Sequence, residues 1–287
     1  MKDFTIHAYR SLLSAIQKAG YAFFTFEEWC KGNATGRYVI LRHDVDLKAA
    51  NSLITARIES EMGIHATYYF RIVPQSNQPG IIQSIADLGH EIGYHYEDLS
   101  LFHGDKVKAI EHFRLQLDYF RQFYPVKTIC MHGSPTSKWD NRDLWNDYDY
   151  RNYGILGEPY FDLIKNNDIL NQKFNYFTDT ARMWDGDMYN LRDRFSGDNI
   201  ILSNDSSARQ ASENIIPLKN DIATKSLIIH STFDMIGWLN TMPVDNIMMM
   251  TTHPQRWTNN RVDWFVELLM QNIKNRIKKI MVRRRGK

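Results

Sequence analysis

Cysteine is scarce in this chain of 287 residues: Cys30 and Cys130 stand alone and far apart. Two cysteines exclude a disulfide framework as the source of stability at this size. Cys130 sits in the apolar run Thr128-Ile129-Cys130-Met131, where a buried thiol is expected. Long apolar runs are missing too. Nothing approaches the ~18 residues that a membrane-spanning helix needs. The amphipathic, mixed-charge segment 1–20 lacks the uninterrupted apolar stretch of a signal peptide, so the expected location is cytoplasmic. Net charge is small: 35 basic against 33 acidic side chains leave +2. That excludes nucleic-acid binding through the bulk charge, and no groove-reading motif is present. No repeat or low-complexity linker divides the chain, and a single domain over 1–287 is expected.

What the chain does have is an alternation of short apolar runs with helical patterns. Residues 38–42 (YVILR) read as a buried strand, 48–62 as a helix and 65–72 as a second strand. A short helix over 79–88 precedes a third strand at 91–95. Apolar residues at helical spacing over 106–123 precede a fourth strand at 127–132. Further strands are expected at 153–156, 176–178, 226–230 and 246–252, and a last helix over about 260–282. Alternation at this spacing implies a parallel sheet. The expected fold is α/β, a single distorted or incomplete (β/α) barrel of about seven parallel strands. From Lys274 to Lys287 the chain carries eight Lys and Arg and no acid. A solvated helix end accounts for such a run; weak contact with an anionic membrane surface, or attraction of an anionic sugar donor, is the functional alternative.

In barrels of this kind the chemistry sits at the C-terminal ends of strands. Five expected strands end in histidine or a His-Asp cluster: His43-Asp44-Val45-Asp46, His95, His132, His230 and His253. Asp44 and Asp46 are two apart and share a strand face. Two carboxylates on one face repel each other unless a cation or proton lies between them. A divalent metal relieves that repulsion and lets one carboxylate bind while the other acts as base. The competing reading is a pair of helix-capping acids. His95, at a strand end, is a candidate ligand, whereas His90 reads as a turn or helix-end histidine.

RHDVD at 42–46 followed by GHEIGYH at 89–95 resembles the first two motifs of the polysaccharide deacetylase family. The resemblance implies a distorted (β/α) barrel that removes N- or O-acetyl groups from sugars. It implies Asp44 as catalytic base, with Asp46 and His95 as metal ligands. Two departures stand out. Family members usually carry a second histidine four residues after the first, and that position holds Leu99. The third motif normally presents an arginine near the base; the matching segment, 131–135, holds His132. His132 is therefore expected either to complete the metal site or to orient Asp44, with Glu97 and His103 as the other candidate ligands. His253, in Thr252-His253-Pro254, fits the family's general acid, and His230 competes for that role.

The segment Thr178 to Gly186 gathers Asp179, Arg182 and Trp184, a combination suited to holding a sugar by stacking and hydrogen bonds. The segment 137–141, with Trp139, is a weaker case. The expected activity is metal-assisted hydrolysis of an acetamide or ester on an acetylated sugar or glycan, in surface-polysaccharide biosynthesis. His and carboxylate donors suit zinc first among divalent metals, and tolerate cobalt, nickel or iron. The alternatives are hydrolysis of a non-sugar amide on the same barrel with an altered or absent metal site, and a non-catalytic carbohydrate-binding protein on a decayed barrel.

Overall fold

A computed structural model describes residues 2–165, 173–185, 200–202, 229–241 and 246–285. Its centre is a sheet of eight strands: β1 (Ala22–Phe24), β2 (Tyr38–Val45), β3 (Thr67–Phe70), β4 (Glu91–Tyr96), β5 (Ile129–Met131), β6 (Lys173–Thr178), β7 (Ile200–Leu202) and β8 (Asn246–Thr252). The order is β5-β4-β3-β2-β8-β6-β7, with β1 added beside β2, and every pairing is parallel. The sheet curls without closing between β5 and β7 among the described residues. This is the incomplete (β/α) barrel that the strand-helix alternation predicts.

The helices are α1 (Ile6–Lys18), α2 (Phe26–Cys30), α3 (Ala49–Glu61), α4 (Pro79–Asp87), α5 (Asp98–Leu101), α6 (Lys106–Phe120), α7 (Pro159–Lys165), α8 (Thr232–Leu239) and α9 (Arg261–Arg285). Their starts follow local chemistry. Thr25 and Glu28 close a capping box on α2, and Ser231 and Asp234 close another on α8. Asp105 accepts from Lys108 N at the head of α6. β2 is buried along its whole length, as expected for a strand covered on both faces. On β4, a Cβ at Gly93 would lie 2.3 Å from the Tyr69 ring, so only glycine lets that ring cross the strand.

Side chains alternate along β2, which sends His43 away from the cleft. His43 lies in a buried layer between sheet and helices, with Nε2 2.9 Å from Glu59 Oε1 and Nδ1 2.6 Å from Thr252 Oγ1. Tyr9 and Tyr68 also donate to Glu59. His90 belongs to the same layer. It accepts from Ala66 N at 3.2 Å, and its Nε2 faces Ala56 O at 2.9 Å. It follows the turn that ends α4, as expected of a helix-end histidine, and is fully buried there.

One strand expectation differs from the structure, and another falls largely outside the described residues. Residues 153–156 form no strand: a 3-10 turn over Tyr150–Tyr153 ends at Gly154, whose φ of 71° turns the chain out of extended geometry. Beside it, Leu156 N donates to Lys127 O at 2.7 Å, and Thr128 and Gly157 form an isolated parallel bridge at the start of β5. Of 226–230, residues 226–228 lie outside the described residues; Ile229 and His230 lead into α8, and the His230 carbonyl accepts from Trp184 N at 3.1 Å. β1 and β7 were not expected, being only three residues each.

Candidate active-site cleft

The C-terminal ends of β2, β4, β5, β6 and β8 bring Asp44, Asp46, His95, His132, Asp179 and His253 together. Asp46 is the hub. His95 Nε2 and His132 Nε2 each lie 3.6 Å from Asp46 Oδ1, and His253 Nε2 lies 3.8 Å from Oδ2. Gln255 adds a long contact of 3.4 Å to Oδ2. Asp46 Oδ1 is buried and accepts no hydrogen bond, which is costly for a carboxylate oxygen unless something else meets it.

Each of the three imidazoles is held by its other nitrogen. His95 Nδ1 faces Cys130 O at 2.9 Å. A carbonyl only accepts, so Nδ1 carries the proton and Nε2 offers a lone pair. His132 Nδ1 faces Glu97 Oε2 at 2.9 Å, and Arg71 fixes Glu97 through three contacts of 2.7–2.9 Å. His253 Nδ1 faces Asp179 Oδ1 at 2.6 Å. Trp257 Nε1 and the backbone N–H of His253 donate to the other Asp179 oxygen. Arg256 reaches the Asp179 carbonyl at 2.6 Å and stands 2.8 Å from His253 Nδ1. With the nearer carboxylate oxygen as partner, His253 also presents Nε2 to the cleft.

Asp44 is held differently. Arg42, two residues earlier on the same strand face, donates Nε and Nη2 to its two oxygens at 2.8 and 2.6 Å. Both side chains are buried. His95 Nε2 stands 3.8 Å from Asp44 Oδ2.

These charges set the ionisation of the site. Burial alone would raise the Asp46 carboxyl; the positive charge that His132, His253 and His95 carry when protonated holds it far below the usual carboxylate range. Burial likewise opposes ionisation of Asp44, and the Arg42 guanidinium outweighs it. Glu97, despite burial, is held down to about 2 by His132 and Arg71, and Asp179 to about 2 by Arg256 and His253. Burial lowers His95, keeping its ring neutral.

Two overlapping sets of donor atoms meet at His95. Asp44, His95 and Cys130 form a buried group whose ligand atoms lie within 4.8 Å of one another, able to hold a metal ion. The second set is Asp46, His95 and His132. Two ligands on one tetrahedral zinc stand roughly 3.3 Å apart, given bonds of ~2.0–2.1 Å, close to the 3.6 Å found about Asp46 Oδ1. The two sets differ in their surroundings. Both Asp44 oxygens are occupied by a guanidinium that would repel a cation, and the Cys130 thiol would have to lose its proton. Asp46 Oδ1 needs a partner and has two lone pairs aimed at it.

The remaining expected residues lie elsewhere or serve otherwise. Glu97 positions His132 from behind rather than facing Asp46. His103 is exposed in the turn after α5, at φ 50°. Leu99 is buried in the core. His230 is exposed and pairs with Asp185 at 2.8 Å. Trp184 is buried and donates to Thr232 Oγ1 at 3.2 Å. Arg182 lies over the rings of Phe4 and Trp264. Both side chains pack into the body of the protein, because 180–182 turns back under α9. Asp179 is fully buried behind His253. Gly186 lies outside the described residues. Trp139 packs over Gly104, while Asn141 donates to His132 O at 2.7 Å and so steadies that loop.

Arg42 was missed from sequence as a functional residue. Its signal was present: an arginine two before an aspartate, inside an apolar strand, has only that carboxylate to neutralise it.

Comparison with models of protein families, with curated proteins and with solved structures finds no match to this chain in any of the three.

Proposed function

We propose that this protein is a metal-dependent hydrolase that removes acetyl groups from N- or O-acetylated sugars. The observation that carries the reading is the convergence of three imidazole Nε2 atoms on Asp46, whose buried Oδ1 accepts no hydrogen bond. Asp46, His95 and His132 would hold the cation, with zinc the best match to two nitrogens and a carboxylate. The likeness of 42–46 and 89–95 to polysaccharide deacetylase motifs supports the substrate class.

A bound divalent cation supplies Lewis-acid polarisation of the acyl carbonyl and makes water more acidic. The protein's own groups do the rest. Asp44, kept anionic by Arg42, accepts the proton of the attacking water. His253 gives a proton from Nε2 to the departing sugar nitrogen or oxygen, while its Nδ1–H stays on Asp179. Glu97 and the Cys130 carbonyl keep the other two rings in the tautomer that binds metal. The hydrolysis conserves atoms: water and the acetylated sugar become acetate and the free amine or hydroxyl.

The test is acetate release from N-acetylglucosamine oligomers and from O-acetylated sugars, using metal-free protein with and without added Zn²⁺. Release that depends on zinc and fails in Asp46→Asn is expected. Zinc-independent release, or none from any acetylated sugar at full zinc occupancy, rules the reading out.

A further inference from the structure

The long helix α9 is built inside out. Its inner face is Trp264, Glu267, Leu268, Gln271 and Asn275 at helical spacing, and Gln271 and Asn275 are buried. Gln271 donates to Asn275 at 2.7 Å, and Asn275 donates to the Ala181 carbonyl at 3.1 Å. The polar stripe therefore docks on the turn that follows β6. On the opposite side, Val262, Phe265, Val266, Leu269, Met270, Ile273 and Ile277 are 45–71% exposed. Successive helical residues are turned by ~100°, which puts all seven on one stripe roughly 22 Å long. Apolar residues scattered singly need no explanation; a continuous stripe does.

Charge names the occupant. Acids on α9 end at Glu267, and from Lys274 onward the chain carries eight Lys and Arg without one acid. An apolar stripe running into a purely basic segment matches an anionic bilayer surface, where side chains enter the acyl boundary and cations meet headgroup phosphates. No helix among the described residues is long and apolar enough to cross a membrane, so the geometry is that of a helix lying on a surface. We propose that α9 docks this protein on anionic membranes through Val262, Phe265, Leu269 and Ile273.

The test is co-sedimentation of the full chain with vesicles. Phosphatidylcholine vesicles containing about a third phosphatidylglycerol are compared with phosphatidylcholine alone. Binding to the anionic vesicles is expected, weakened by about tenfold or more in 0.5 M salt and in F265E/L269E, with little binding to the neutral ones. Both substitutions are at exposed positions, and an unchanged melting temperature verifies that the variant folds. A chain that stays in solution with anionic vesicles overturns the proposal. So does a variant that binds as well as the parent. Sedimentation equilibrium covers the rival occupant: a dimer that F265E/L269E dissociates, without vesicle binding, assigns the stripe to a second copy and also overturns it. None of these readings depends on hydrolysis.

Discussion

Arg42 holds Asp44 with two donors from two residues earlier on the same strand, and neither side chain reaches solvent. Asp44 thus stays anionic in a place where burial alone would protonate it. Arg42→Met should cost about 3–5 kcal/mol, the usual penalty for leaving one partner of a buried pair uncompensated. It should also move the acidic limb of the pH–rate profile upward, because Asp44 loses the charge that keeps its pKa low. Urea titration and a pH profile of acetate release measure the two effects separately. An acidic limb that does not move would remove Arg42 from the description of the base.

Asp44→Asn keeps the shape of the side chain and removes the proton acceptor. Acetate release should fall by about 10²–10⁴-fold, while zinc content measured by atomic spectroscopy stays at the parent level. If zinc is lost together with activity, Asp44 is a ligand and the Asp44–His95–Cys130 group is the metal site.

Glu97→Gln leaves His132 without its carboxylate. Zinc affinity should weaken about 10–100-fold, the usual effect of losing a carboxylate behind a ligating histidine. Added zinc should then restore most of the activity. A competition titration with a chromogenic chelator reads the affinity directly, and an unchanged value would mean that His132 is not a ligand.

Metal removal should destabilise the protein. Asp46 Oδ1 is buried and accepts no hydrogen bond from the protein, and an ion that binds only the folded state stabilises it by mass action. Zinc at about a thousand times its dissociation constant contributes roughly 4 kcal/mol. Differential scanning calorimetry should show a rise of several degrees for the parent and none for Asp46→Ala. Equal rises in both would place zinc elsewhere.

Glu91, at the opposite end of β4, governs stability at neutral pH. It is fully buried and accepts from Thr67, Thr128 and the Glu27 backbone N–H, yet burial pushes its pKa up from 4.5 to about 7. A carboxyl raised in the folded state stabilises the protein fully below the unfolded value, and that contribution is lost as pH rises through the folded one. Stability should therefore decline between about pH 4.5 and 7, by roughly 3 kcal/mol from this group. Glu158, also raised to about 7, adds to the same decline. Glu97 and Asp179 act in the opposite sense. Both are lowered to about 2, so their contribution is present above the ordinary carboxylate range and disappears as pH falls to 2. Glu91→Gln should flatten the decline from pH 5 to 8 in denaturant titrations; an unaltered slope would mean that Glu91 is ionised throughout.

The long strands were legible because their side chains are apolar on both faces: YVILR over 38–42 and the methionine-rich 246–252 allow no other placement. The strand-end histidines were legible because a strand end gives imidazole no packing role. Pairings across the sheet were not. Asp179 and His253 are 74 residues apart, and nothing local marks Asp179 as a positioning residue rather than a sugar ligand. Glu97 looked like a ligand because its attachment to Arg71 depends on β3 and β4 being neighbours. The inverted face of α9 was hidden for a related reason: helical spacing marks a stripe without saying which side meets the body.

The pairing of β2 with β8 has a kinetic consequence. Asp46 and Gln255 are 209 residues apart in the chain, yet they share the cleft because the first long strand and the last lie side by side. Loop closure over such a span is slow, and contacts of this range delay folding. The ends of β2, β4 and β5 can gather Asp46, His95 and His132 early, before β8 docks. His253 arrives only with β8. On the proposed function, a nascent chain would gather its metal ligands before it gains the residue that protonates the leaving group, so capture of metal and competence for turnover would be separate events in the life of the molecule.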